Sequence, residues 1–214
     1  MRNIILFLLL ATFFVLQNGC KKTDSTVNTN SSNVIWPVKL GNTWTYETTN
    51  FGVNGTVLSK VTLTNSITGS KRVLGKDYAL VNTGAYIRND DQGAWMLRDD
   101  STREFFAFKY PGSAGESFAN DTDEAFINGK DQILPGVAQI IFTDTMITVA
   151  AGQFRCYGYE YDYTSTIDGK IYEKNFFFLS PNIGWIQNDE YQWDNATSTL
   201  YLKLSVKLQS KDLK

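Results

Sequence analysis

The stretch Thr199–Gln209, TLYLKLSVKLQ, alternates without a fault. Leu200, Leu202, Leu204, Val206 and Leu208 fall on one side, with Tyr201, Lys203, Ser205, Lys207 and Gln209 on the other. A strict period of two means a β-strand with one face buried and one wet. Helical spacing is scarce elsewhere, whereas short runs rich in Thr, Val, Tyr and Phe recur between turn residues. Such runs predict further strands over 43–50, 56–64, 78–82, 85–89, 93–98, 104–109, 138–149, 154–164, 170–179 and 184–193. NDDQG (89–93) and TIDGK (166–170) are the turn clusters of hairpins. The polar segment Asn120–Gly136, ending in Leu134-Pro135-Gly136, reads as a long loop. Consecutive hairpins without room for crossover helices make a meander. The expected class is all-β: a single-domain curved antiparallel meander sheet, half-barrel or open barrel, with at most short helical turns.

That domain is expected over 34–214. Ahead of it, Arg2 precedes an uncharged apolar run from Ile4 to Leu16, thirteen residues long. A bilayer-spanning helix needs about 20 apolar residues, so the run is too short to cross. A basic start, a short apolar centre and small Gly19 describe a secretory signal peptide over 1–19. Cys20 follows at once, and the segment resembles the signal of a bacterial lipoprotein, in which a small residue precedes a cysteine that is lipidated. Gln17 stands where that class usually has Leu, with Leu16 one step back. Signals of the Bacteroidetes type tolerate this and often continue with two lysines, as Lys21 and Lys22 do here. The resemblance implies a lipid on Cys20 and attachment to the membrane through it. Several acyl chains on one residue hold almost permanently, where one chain binds only marginally. Lys21, rather than Asp, after the cysteine points by analogy to the outer membrane, on either its periplasmic or its outer side. Residues 20–33, Ser/Thr/Asn-rich with Val27 as the one apolar side chain, are expected to be a disordered tether.

Composition excludes several chemistries. The chain has no histidine, which removes Ser-His and Cys-His nucleophiles and His-ligated zinc. No phosphate-binding glycine loop, dinucleotide fingerprint or G-x-S-x-G appears. Loss of residues 1–19 removes Arg2 and no acid, leaving 19 basic against 22 acidic residues. That balance argues against a nucleic-acid partner. With Cys20 lipidated, Cys156 is the remaining thiol and is expected to be a small buried core residue. Carboxylate pairs such as Glu160 with Asp162, or Asp189 with Glu190, are what chance provides among so many acids. NDTDE (120–124) offers alternating oxygen ligands, but a solvated loop is the simpler reading. No cofactor, metal or catalytic residue is expected.

Three segments resemble a family of uncharacterised exported proteins, many of them Bacteroidetes lipoproteins. They are Trp36-Pro37-Val38-Lys39-Leu40-Gly41-Asn42-Thr43-Trp44-Thr45-Tyr46, then Ile147 to Cys156 (ITVAAGQFRC), then Phe176 to Ile186 (FFFLSPNIGWI). The family often has Pro near Ala151, and Gly-Val where Asn182 and Ile183 stand here. The resemblance implies a half-barrel similar to the lipoprotein carriers of the periplasm, and it implies no reaction. Each motif also has a plain structural reading. Gly41-Asn42 turns into the first strand with Trp44 and Tyr46 on one face, Ala151-Gly152 turns between strands with Gly152 at positive φ, and Gly184 lets the backbone bend before Trp185.

The most unusual local pattern is RCYGYEYDY. Tyr157, Tyr159, Tyr161 and Tyr163 share one strand face, while Glu160 and Asp162 lie opposite and cannot easily be buried unpaired. Either the tyrosines fill the core, or they form an aromatic platform for sugar rings or acyl chains. If Phe154 and Cys156 also point inward, a bulge near Gly158 must switch faces. The functional expectation is a non-enzymatic, membrane-anchored binding module for an apolar, glycan or protein ligand. The alternatives are a structural component of an envelope assembly, or a carboxylate-based hydrolase.

Overall fold

The structure, a computed structural model, describes residues 34–98, 103–127 and 130–214. The segments read as a signal peptide (1–19) and a tether (20–33), Cys20 included, lie outside the described residues. Twelve strands follow in order: β1 Thr43–Phe51, β2 Val57–Val73, β3 Lys76–Val81, β4 Tyr86–Asp90, β5 Gly93–Leu97, β6 Glu104–Lys109, β7 Ser117–Ile127, β8 Lys130–Val149, β9 Gly152–Thr164, β10 Ile171–Ser180, β11 Gly184–Asp194 and β12 Thr199–Asp212. All pair antiparallel in one sheet of order β6-β5-β4-β3-β2-β1-β12-β11-β10-β9-β8-β7. The two end strands, β6 and β7, come into contact, so the sheet is curled nearly into a barrel. The all-β meander expected from the alternation is what forms, and no helix occurs among the described residues.

One segment departs from expectation. Asn120–Gly136 is no loop but most of the β7–β8 hairpin, paired from Ser117↔Gln139 to Ile127↔Lys130. Its polarity is misleading because pairing satisfies the backbone whatever the side chains are. Pro135, which lacks a ladder donor, sits beside a register shift between Ala119 and Thr122, where prolines are tolerated. NDTDE accordingly lies on a strand rather than in a cation-binding loop.

The alternation in β12 is observed most clearly at Val206 and Leu208, which are buried around exposed Lys207. Toward Leu200 it blurs. The ladder with β11 shifts between Glu190 and Tyr191, leaving Lys203 without a register partner. Ser205, expected on the wet face, is buried, with its hydroxyl donating to Asp189.

The core is aromatic. Trp36, Trp44, Tyr46, Phe108, Tyr159 and Tyr161 are all buried, and their rings meet at tilted or edge-to-face angles with Phe177 and Trp185. Such contacts add about 0.5–1.5 kcal/mol per pair beyond area burial.

The three family-like segments contribute to one end of this core. Val34–Val38 closes it, with Ile35 fully buried. The Val34 amide donates to Asn182 Oδ1 at 3.1 Å, and the Asn182 amide donates to the Val34 carbonyl at 2.7 Å. Trp44 Nε1 donates to the Ile183 carbonyl and Tyr46 Oη to that of Trp185. Gly184 is required here: its φ is +93°, and a Cβ would lie 3.0 Å from the Trp36 ring. Gly152, at φ +127°, makes the expected turn, and the Ala151 amide reaches the Leu208 carbonyl at 3.3 Å.

Candidate functional site

The tyrosine row divides. Tyr159 is fully buried and Tyr161 is 2% exposed, while Tyr157 and Tyr163 at its ends are half-buried. Phe108, Phe118 and Phe177 crowd Tyr161, with centroids 6.0, 6.4 and 4.9 Å away. The central pair is therefore core and not an open platform. Burial also raises the pKa of each member of the row.

Their hydroxyls have a definite task. β6 has no strand beyond it, and the bulge between Ala94 and Trp95 leaves Ala107 out of the ladder with β5. Tyr161 Oη donates to the Ala107 carbonyl, and Tyr159 Oη donates to that of Lys109 at 2.8 Å. From β9 the two side chains reach across the interior and satisfy the edge strand. Nearer the other end of the seam, Arg98 Nε holds Asp121 of β7 at 2.6 Å and Arg103 adds a contact at 3.2 Å. Asp121, a candidate cation ligand by sequence, is thus committed to arginines.

The face switch near Gly158 is present, with its extra residues on β8. Ile140, Phe142 and Thr145 oppose Tyr159, Gly158 and Cys156 in turn, so β8 carries the bulges. Phe142 covers Gly158 on the outside and stacks on Phe178. Cys156 is fully buried and unpaired, and burial pushes its thiol up to about 12.

Of the carboxylate pairs noted in the sequence, one meets on a lysine and the other is split between faces. Glu160 and Asp162 share Lys174. Asp189 accepts from Ser205 and Gln187, whereas Glu190, on the opposite face, pairs with Lys203 at 2.7 Å. What linear spacing missed is an inward acidic group contributed by three strands. Register places Glu173 beside Tyr163 and Gln192, and Glu190 beside Asn175. Glu173 is raised to about 8, by burial first, then by Asp123 and Glu190, while Asn175 Nδ2 donates to it at 2.7 Å. Lys203 and Tyr163 are the other titratable groups around it. Only strand register brings these residues together, so no sequence signal marks them. Among the described residues no group of three or more His, Cys, Asp or Glu is arranged to hold a metal ion.

The open surface lies at the β1–β2 ribbon. β3 pairs with β2 only from Ile67 onward, so Val57–Asn65 has β1 on one side and, among the described residues, no strand on the other. Asn82 fixes which backbone groups face outward: its Nδ2 donates to the Thr64 carbonyl, and Oδ1 accepts from the Ser66 amide. Backbone direction alternates along a strand, so Thr62 and Lys60 also turn their N–H and C=O away from β1. Every residue from Val57 to Thr64 is exposed, including Val57 at 54%, Leu58 at 69%, Val61 at 45% and Leu63 at 53%. On the outer face beside this ribbon lies an open groove of about 220 Å³, lined by Glu47, Thr49, Phe51, Val57, Lys60, Ser205 and Lys207.

No family model matches the chain, and no curated protein matches it. Two solved structures are similar. One, from Bacteroides fragilis NCTC 9343, is classed as an exported protein with a YmcC-like fold. It is 12% identical, with 83% of this chain and 98% of that chain covered at a TM-score of 0.44. The other, classed as a lipoprotein from Parabacteroides distasonis ATCC 8503, is 11% identical, with 84% and 99% covered at a TM-score of 0.47.

Proposed function

We propose that this protein is a lipid-anchored lipoprotein of the outer membrane that acts as a non-catalytic binding module for a protein ligand, taken along the free edge of β2. One observation carries the choice of ligand. The eight-residue stretch Val57–Thr64 of β2, with exposed Val57, Leu58, Val61 and Leu63, offers unpaired backbone beside apolar side chains. Natural sheets blunt such edges with charge, proline or a cover, and this edge has only Lys60. An extended segment of another chain can add there, with backbone bonds supplying affinity and alternate side chains specificity. The aromatic filling of the interior weighs against an acyl chain or sugar held at its centre, and the separation of Asp189 from Glu190 weighs against paired-carboxylate hydrolysis. Anchoring rests on the signal and Cys20.

Two measurements test the reading. Cys20→Ser is expected to move the protein out of the membrane fraction, and unchanged detergent partitioning refutes the anchor. Leu63→Cys is expected to be labelled by maleimide quickly in purified protein and slowly in intact envelopes. Equal labelling in both refutes docking at the edge.

A further inference from the structure

We infer that the occupant of the β2 edge is a second copy of this chain, paired β2 to β2 antiparallel along Ser59–Leu63 about a two-fold axis at Val61. The inference rests on the docking reading above and names its partner. It follows from the self-complementarity of the strand.

Because Lys60 and Thr62 face the free side, an antiparallel partner must pair even residues with even ones. With the axis at Val61, Lys60 lies opposite Thr62 of the second copy, Val61 opposite Val61 and Ser59 opposite Leu63. The one charge in the segment meets a threonine, so no like charges oppose, whereas an axis at Lys60 would set lysine against lysine. Val61 and Leu63 turn to the same face as Thr48 and Tyr46, their register partners on β1. There each is exposed alone and covered by its counterpart in the pair. The length is also bounded. Asn82 occupies the edge at Thr64 and Ser66, and the register shift between Asn50 and Phe51 distorts β2 near Val57. That leaves the five residues Ser59–Leu63 free to pair. A strand pair this short buries less than the ~1,200 Å² of a stable soluble interface, so association depends on confinement to one membrane, which raises effective concentration.

The test is disulfide trapping in the full-length lipidated protein in its native membrane. Val61 in the two copies forms a non-hydrogen-bonded pair, for which Cα atoms lie about 4.5 Å apart, within disulfide range. Val61→Cys is expected to give, on oxidation, a species of twice the chain mass. Cys156 is buried and does not compete. Ser70→Cys is also exposed but lies where β3 covers the edge, and is expected to give none. Adding Thr62→Pro to Val61→Cys removes an N–H that β1 does not use, and is expected to cut the dimer at least about tenfold while the melting temperature holds.

A dimer from Ser70→Cys as strong as from Val61→Cys means random collision and overturns the proposal. So does a Val61→Cys chain that stays monomeric. In that case maleimide separates the two failures. A freely labelled thiol removes edge docking altogether, and a protected one leaves edge docking in place with a different occupant.

Discussion

Tyr161→Ala is the sharpest probe of how the sheet is held closed. The side chain is 2% exposed, and its ring is enclosed by Phe108, Phe118 and Phe177. An aromatic of this size buries 150–250 Å², worth about 4–6 kcal/mol at ~25 cal/mol per Å². Alanine retains a small part of that, and aromatic-to-alanine changes in cores cost about 3–5 kcal/mol. For a chain of this size 1 kcal/mol moves the melting temperature by roughly 2–4 °C, so a fall of about 6–20 °C is expected. Tyr161→Phe isolates the seam. It keeps the ring but leaves the Ala107 carbonyl of β6 without its donor, at a cost of about 1–3 kcal/mol for an unsatisfied buried acceptor. Thermal and urea unfolding of both variants measure these values, and protection of β6 amides from hydrogen exchange is expected to drop in Tyr161→Phe. If Tyr161→Phe melts with the parent and leaves β6 protected, the hydroxyl does not seal the edge. If Tyr161→Ala melts within a degree of the parent, the row is not core at all.

Three further outcomes are expected. Cys156, buried and with its thiol held up to about 12, should resist alkylation in folded protein and react only after unfolding, which a timed iodoacetamide reaction reads. Glu173 is raised to about 8 in the fold. Between about pH 4.5 and 8 the folded state therefore holds a proton that the unfolded chain releases, and stability falls as pH rises through that window. Glu173→Gln should flatten the dependence of the melting temperature on pH there; an unchanged slope refutes the assignment. Glu104 is the opposite case. Burial alone would raise its pKa, but bonds from Arg88, Lys76 and Tyr78 outweigh it and hold the carboxyl down to about 2. Its contribution is present above about pH 4.5 and is lost as pH falls through about 2. Removing one member of a buried ion pair costs about 3–5 kcal/mol. Glu104→Ala should fall at the low end, because Asp90 still holds Arg88 at 2.7 Å. Denaturant unfolding at neutral pH checks it.

The meander was legible because hairpin pairing is local. Turn clusters at 89–93 and 166–170 and the alternation of β12 lie in plain sequence, and Trp44 and Tyr46 are buried on one face as their spacing requires. The β7–β8 hairpin was hidden because an Asp/Asn/Thr-rich strand looks like a loop when only side chains are read. What RCYGYEYDY did not disclose was its partner. That Tyr159 and Tyr161 answer the carbonyls of Lys109 and Ala107 depends on the sheet curling until β9 faces β6, across 50 and 54 residues of chain. The acidic group around Glu173 and the free half of β2 are hidden for the same reason. Each is a property of which strands lie side by side, or fail to.

The sheet order carries a consequence for how the chain acquires its shape. Eleven strand junctions hold the sheet, and ten of them join consecutive strands. β1–β6 and β7–β12 can each assemble by hairpins that form in microseconds. The exception is β1 against β12, whose partners Thr43 and Asp212 bracket nearly all of the described chain. Closing a loop of that length costs roughly 4–5 kcal/mol of chain entropy before its first rung forms. In a chain made from its N-terminus, β1 therefore waits longest for its second neighbour. Its second edge stays open until the last strand arrives, although β3 already covers β2 from Ile67 onward. Folding speed should thus be set by the β1–β12 zipper: weakening it slows closure, while equal damage inside either half leaves that slow step unchanged.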